Sequence, residues 1–213
     1  MNLQNFLTLS IKIIFFLVGY RGIAITTDID ETDFGSAKKS KKKDKGAKRP
    51  DQPEDVIPPP PDLSNLITKY PKVKFYKRIN IALAEYDNIR KVQHSKNLKK
   101  YNLVSIQPMT QNVLRGLATI NEVDIISFQP ENRFSLSLNR KTYNQLVNMN
   151  VYFEIIYSPA LVDSSARKNL FVLSHSYHAL GRSKNVFVSS GAKTSSVIRS
   201  PYDVINLYPF ITV

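Results

Sequence analysis

Three histidines, one carboxylate inside an apolar run and a scatter of basic side chains interleaved with aromatics are the residues of this chain whose types and spacing could do chemistry. His175 and His178 stand three apart in a helical stretch, a spacing that can turn two imidazoles to one face for a metal ion. No carboxylate nearby in sequence completes a ligand set, so they read as half-buried side chains of an amphipathic helix. His94, in the basic stretch "NIRKVQHSKNLKK", reads as a surface residue. Glu154 lies within "VYFEIIYSP", where a carboxylate is costly unless paired, and Arg199 of "VIRSPYDV" is its expected structural partner. Lys72, Lys74, Lys77, Arg78, Arg133, Arg140, Lys141, Arg167, Lys168, Arg182, Lys184 and Lys193 fall near strand ends and helix starts, interleaved with Tyr76, Tyr101, Phe134 and Tyr157. Cations hold phosphates and aromatics stack on unpaired bases, although a solvated rim accounts for part of this set. The sequence has no P-loop, no Gly-rich dinucleotide turn and no nucleophile elbow, and its seven glycines are scattered singly.

Composition narrows the classes further. The 213 residues suffice for one substantial α/β core, and the absence of cysteine excludes disulfides, thiol chemistry and cysteine zinc sites. Lys12 interrupts the one apolar run that approaches the roughly 20 residues needed to span a bilayer, so no membrane partner is expected. The net charge of +13 is unevenly placed. Residues 38 to 49, "KKSKKKDKGAKR", carry eight bases and one acid, but acids on both sides offset them. From Lys69 onward there are twenty bases and eight acids, so the compact part is itself basic and attracts polyanions.

Positioning these side chains falls to alternating strands and helices. Apolar runs rich in Ile, Val, Phe and Tyr recur at "INIALAE", "LVSIQP", "DIISFQP", "VYFEIIYSP" and "NVFVSSG" and read as strands buried on both faces. Between them, helices are predicted after Thr110, a candidate N-cap, and after Asn139 and Asp163. In the last, Ala166, Leu170, Leu173, Tyr177 and Leu180 share a face, and Gly181 stands where a left-handed C-cap belongs. Such repeats imply a parallel sheet with right-handed crossovers, either a β/α barrel or a doubly wound sheet. Residues 31–66, with the lysine run and "RPDQPEDVIPPPPD", read as a basic, proline-rich insert without secondary structure. Its lysines suit either nuclear import receptors or a solvated tether.

The opening stretch "SIKIIFFLVGYRGIAITTDID" admits two readings. Phe6, Leu9, Ile13, Phe16 and Leu17 lie at helical spacing, Gly19 is a natural stop, and "GIAIT" is a strand, one more unit of the same kind. A cleaved signal peptide is the competitor, but "MNLQN" has no basic side chain and no small-x-small cleavage site follows. The expected organisation is a helix-strand unit over 1–30, the insert over 31–66, and the remainder of the barrel over 67–213.

Specific motifs then appear in "EIIYSPALVDSSARKNL" and "SKNVFVSSGAKTSSVIRSPYDVINL". The first supplies Glu154, Tyr157, Ser158, Pro159 and Asp163, the second Ser189, Ser190, Pro201, Tyr202 and Asp203. Together with "QNVLRGLATINEVDIISFQPEN", these blocks resemble the thirty-kilodalton protein subunit family of ribonuclease P and RNase MRP. The resemblance implies a TIM-barrel-like parallel β/α barrel related to the polymerase and histidinol phosphatase (PHP) superfamily, without that superfamily's metal-binding histidines. It also implies a non-catalytic, RNA-binding subunit that supports 5′-leader removal from precursor tRNA, in the nucleus and nucleolus. The implied partners are the ribonuclease P or MRP RNA, precursor tRNA and a small ferredoxin-like protein subunit. The protein itself is expected to hold no cofactor, Mg2+ residing on the catalytic RNA.

Against the family's pattern, a first strand with an Asp-Leu-Asp signature has no counterpart before Met1. A final helix is also absent, and Ser200 replaces a usual glycine, so the expected barrel is incomplete at both ends. Arg133, Arg167, Lys168, Lys184 and Arg199 are the candidate phosphate contacts, by their position at strand or helix ends. Two other classes compete: a metal-dependent phosphoesterase on the same fold, which the scarcity of histidine disfavours, and a secreted α/β protein with a cleaved N-terminus.

Overall fold

The computed structural model describes residues 19–34, 55–131 and 136–212. The helix expected over residues 3–17, the lysine run and two of the candidate RNA contacts, Arg133 and Phe134, lie outside the described residues. Six parallel strands follow one another in sequence order: β1 (Gly22–Asp30), β2 (Lys74–Leu83), β3 (Leu103–Pro108), β4 (Ile125–Ser127), β5 (Tyr152–Ile156) and β6 (Val186–Ser189). Each reads as a β-branched run with a helix or helical turn before the next, the pattern that forces parallel pairing through crossovers. The helices are α1 (Ser64–Lys69), α2 (Tyr86–Gln93), α3 (Gln111–Gly116), α4 (Arg140–Asn148), α5 (Ser158–Val162), α6 (Ser164–Gly181) and α7 (Pro201–Thr212).

The sheet is an open, curled half-barrel flanked by helices, an incomplete TIM-barrel-like α/β fold. Two contacts report the curl. Arg78 of β2 reaches Glu154 of β5, with β3 and β4 between them, a span of about 14 Å on a flat sheet. The Tyr20 hydroxyl, just before β1, donates to the Arg199 carbonyl beyond β6 at 3.2 Å, so the first edge comes back against the chain leaving the last strand. Pleat parity then sorts the side chains: Ile79, Ile81 and Leu83 of β2 are fully buried in the apolar core, whereas Arg78 and Asn80 face the concave side.

Side chains cap the N-termini of α4 and α6. The Asn139 Oδ1 accepts from the Thr142 N–H at 2.7 Å, and the Asp163 Oδ2 from the Ala166 N–H at 2.8 Å. Thr110 instead donates its hydroxyl to the Ala84 carbonyl at 2.7 Å, tying α3 to the end of β2 rather than capping it. Gly181 also departs from expectation, because the left-handed residue is Arg182 (φ 52°). A glycine is required at 181 by packing: an added Cβ would overlap the ring of Tyr143, which is stacked on Phe153 at 4.5 Å with Tyr177 beside it.

Residues 55–66, expected to be unstructured, are built into the fold. Ile57 and Leu63 are buried, the Asp55 carboxylate accepts from the Asn97 N–H at 2.8 Å, and the Asn97 side-chain amide donates to the Ile57 carbonyl at 2.8 Å. The cause is that "VIPPPPDL" carries two apolar anchors on a chain that proline already holds extended, so docking costs little entropy. Replacing Gly181 by alanine is expected to lower stability by about 1–3 kcal/mol, read as a shifted urea midpoint at unchanged slope.

Candidate functional site

The concave side of the sheet opens into a cavity of about 670 Å³, lined by both free edges. Its floor is a polar network built on Glu154. The expected partner Arg199 is not there; it is exposed, its N–H bonded to the Tyr157 hydroxyl at 3.0 Å. Arg78 takes the place instead, its guanidinium donating one N–H to each carboxylate oxygen (2.6 Å for the first) and another to the Ser105 hydroxyl at 2.9 Å. Ser105 in turn donates to Asn80 Oδ1 at 3.1 Å, and the Asn80 amide donates to Asp28 at 2.9 Å. The chain of bonds thus runs from β5 to β2, on to β3, back to β2 and then to β1.

Burial opposes ionisation of Glu154, but the bonds and charge of Arg78 outweigh it and hold the carboxyl below the usual range. Ser127 and Ser189 face the same carboxylate and favour its charge, although neither hydroxyl makes a well-aligned hydrogen bond to a described residue. At the mouth, burial first, then Tyr157 and Asp203 nearby, push the Tyr20 phenol up to about 12, so it stays a donor to Arg199.

The motif residues collect at the C-terminal ends of β5 and β6. The Tyr157 and Ser158 N–H groups donate to the Ser189 and Ser190 carbonyls, both at 3.1 Å, and Pro159 is the second residue of α5. Asp163 caps α6, and the Asp203 Oδ2 accepts from the Ser200 hydroxyl at 2.9 Å at the start of α7, with Pro201 its first residue and Tyr202 exposed. These side chains shape turns and helix starts rather than present a nucleophile with its base.

The candidate phosphate contacts do not form one patch. Arg167 and Lys168 open α6 and Arg199 is tied to Tyr157, all at the C-terminal ends of the strands, whereas Lys184 precedes β6 at the opposite end. Tyr101 and Tyr157 are buried and offer no stacking face, and Arg78 is spent on Glu154, leaving Tyr76 as an exposed aromatic beside cations. His94, His175 and His178 are exposed, and among the described residues no three His, Asp or Glu side chains gather so as to hold a metal ion. Nor is any described helix long and apolar enough to cross a membrane. Sequence reasoning missed Arg78 as the partner because the strand was started at Ile79; the alternation of Lys74, Tyr76, Arg78 and Asn80 with Phe75, Ile79 and Ile81 marks a polar concave face.

Comparison with known proteins agrees with this fold and these motifs. The profile of the family described as RNase P subunit p30 matches residues 13–213, so the chain belongs to that family. It is 33% identical over 110 residues to Protein GAMETOPHYTE DEFECTIVE 1 of Arabidopsis thaliana, covering 52% of this chain and 19% of that protein. It is 26% identical over 160 residues to Ribonuclease P protein subunit p30 of Mus musculus, covering 71% of this chain and 59% of that one. The chain therefore spans only part of the length of these relatives. A chain in the cryo-EM structure of archaeal ribonuclease P with mature tRNA has the same fold, with a TM-score of 0.67 and 16% identity, over 99% of this chain and 80% of that one.

Removing one partner of the buried pair, as in Glu154→Gln, is expected to cost about 3–5 kcal/mol by leaving Arg78 uncompensated. The double change Arg78→Met with Glu154→Leu is expected to cost less than either single one, which denaturant unfolding measures. Because the Glu154 carboxyl is depressed in the folded state, its contribution is present above the unfolded value of about 4.3 and is lost as pH falls through the folded value. The double variant is expected to show a shallower acid loss of stability over that window.

Proposed function

We propose that this chain is a non-catalytic, RNA-binding protein subunit of the ribonuclease P ribonucleoprotein, and of RNase MRP, supporting removal of the 5′ leader from precursor tRNA. The observation that carries the reading is the match of the RNase P subunit p30 profile across residues 13–213. Supporting it are the net charge of +13, suited to a polyanionic partner, and the likeness of fold to a chain of a ribonuclease P bound to tRNA. The lack of a gathered His, Asp or Glu set among the described residues argues against a metal-dependent phosphoesterase on this fold.

On this reading the partners are the ribonuclease P or MRP RNA, precursor tRNA and a small ferredoxin-like protein subunit. The catalytic Mg2+ belongs to the RNA, and the site of action is the nucleus and nucleolus. Arg133, Arg167, Lys168, Lys184 and Arg199 contact phosphates in it, a role drawn from the basic side chains of the sequence. Purification of the tagged chain from its own cells is expected to recover ribonuclease P or MRP RNA, and the purified protein alone is expected to leave a precursor tRNA uncut in the presence of Mg2+. Recovery free of those RNAs, or cleavage by the isolated protein, would sink the reading.

A further inference from the structure

The charges at the two ends of β1 and β2 differ in sign. Arg21, Lys72 and Lys74 meet where β1 and β2 begin, since Gly22 pairs in register with Lys74 and the Lys74 N–H donates to the Arg21 carbonyl at 2.9 Å. Beside them, the Lys77 N–H donates to Asn102 Oδ1 at 2.9 Å, which brings in Lys99 and Lys100 of the helical turn Leu98–Lys100 before β3. Five of these six cations are exposed and Lys77 is half-buried, and none is in an ion pair among the described residues. Asp55, Asp62 and Asp124 at this end are each engaged with backbone N–H groups, of Asn97, Ser64 and Val104. At the other end of β1 and β2 stand Asp28, Asp30, Glu31, Asp33, Glu85 and Asp87, outnumbering the nearby Lys91, whose ammonium donates to the Asn88 side chain at 2.7 Å beside Glu85.

We propose that the N-terminal ends of β1, β2 and β3 are a surface that binds the sugar-phosphate backbone of RNA, with Tyr76 as its stacking face. The proposal rests on the RNA-binding reading above and adds to it a larger set of phosphate contacts at the end of the strands opposite Arg167, Lys168 and Arg199. A polyanion is drawn to this end of the strands and repelled from the acidic end, which fixes its side of approach. Tyr76 is 40% exposed, and an edge atom of its ring would stand 3.4 Å from a Cβ added at Gly22, so the ring sits beside the start of β1 and is open to solvent. A row of lysines without an apolar centre suits a phosphate backbone better than an acidic protein, whose interface needs a desolvated core.

The test uses the full chain and a 5′-extended precursor-tRNA transcript, with filter binding across a salt series. Changing Lys72, Lys74, Lys99 and Lys100 together to glutamine is expected to weaken binding and flatten the salt slope by about three, from loss of about 0.7 per phosphate contact. The comparison variant, with Arg167, Lys168 and Arg199 changed to glutamine, is expected to lose less. Lysine acetylation footprinting of the unaltered chain gives a readout that no folding defect can mimic: RNA is expected to protect Lys72, Lys74, Lys99 and Lys100. If the unaltered chain binds RNA while the fourfold variant, folded by circular dichroism, keeps its affinity and slope, the inference fails and the RNA-binding reading stands. If the unaltered chain binds no RNA, both fail. Unchanged RNA binding together with loss of a co-purifying acidic protein would also overturn the inference.

Discussion

A carboxylate and a guanidinium taken out of water must meet, and in this chain Glu154 of β5 meets Arg78 of β2. Two strands lie between them, so the bidentate contact exists only if the sheet closes toward a barrel. The pair thereby separates two environments. On the convex side β2 presents Ile79, Ile81 and Leu83 to the helices, and on the concave side Arg78, Asn80 and the serines of neighbouring strands complete one another's hydrogen bonds. Hydrophobic burial drives the helices onto the sheet, while the polar chain across its inner face ties the strands into one curl.

The same pair decides which cations are available. Arg78 is neutralised inside, so the free charge near β2 belongs to the lysines that precede or open the strand. At the far end, Glu31 accepts from the Ala84 and Glu85 N–H groups at 2.9 and 2.8 Å and closes the turn after β2 with acidic side chains. A sheet with opposite charge at the two ends of its first strands gives a member of the RNase P subunit p30 family a preferred side toward a polyanion.

Legibility followed the range of the interaction. Strands β3, β5 and β6 were readable because β-branched runs bounded by polar turns have few other uses, and the helices after Asn139 and Asp163 because their apolar residues repeat at helical spacing. Thr110 did not cap, because the Ala84 carbonyl, 26 residues away, took its hydroxyl. Gly181 was noticed for the wrong property: its value lies in the space it leaves for Tyr143, a residue of another helix.

The sequence by itself determined the alternation of strands and helices, the basic excess and the motif blocks of the family, since all of these are local or compositional. The tertiary structure alone decided that Glu154 pairs with Arg78 rather than Arg199, that Ile57 and Leu63 join the core, and that the candidate cations divide between the two ends of the strands. The physical reason is common to all three. Curling a sheet brings together side chains from strands that never pair, and neither spacing nor periodicity records how far a sheet has curled.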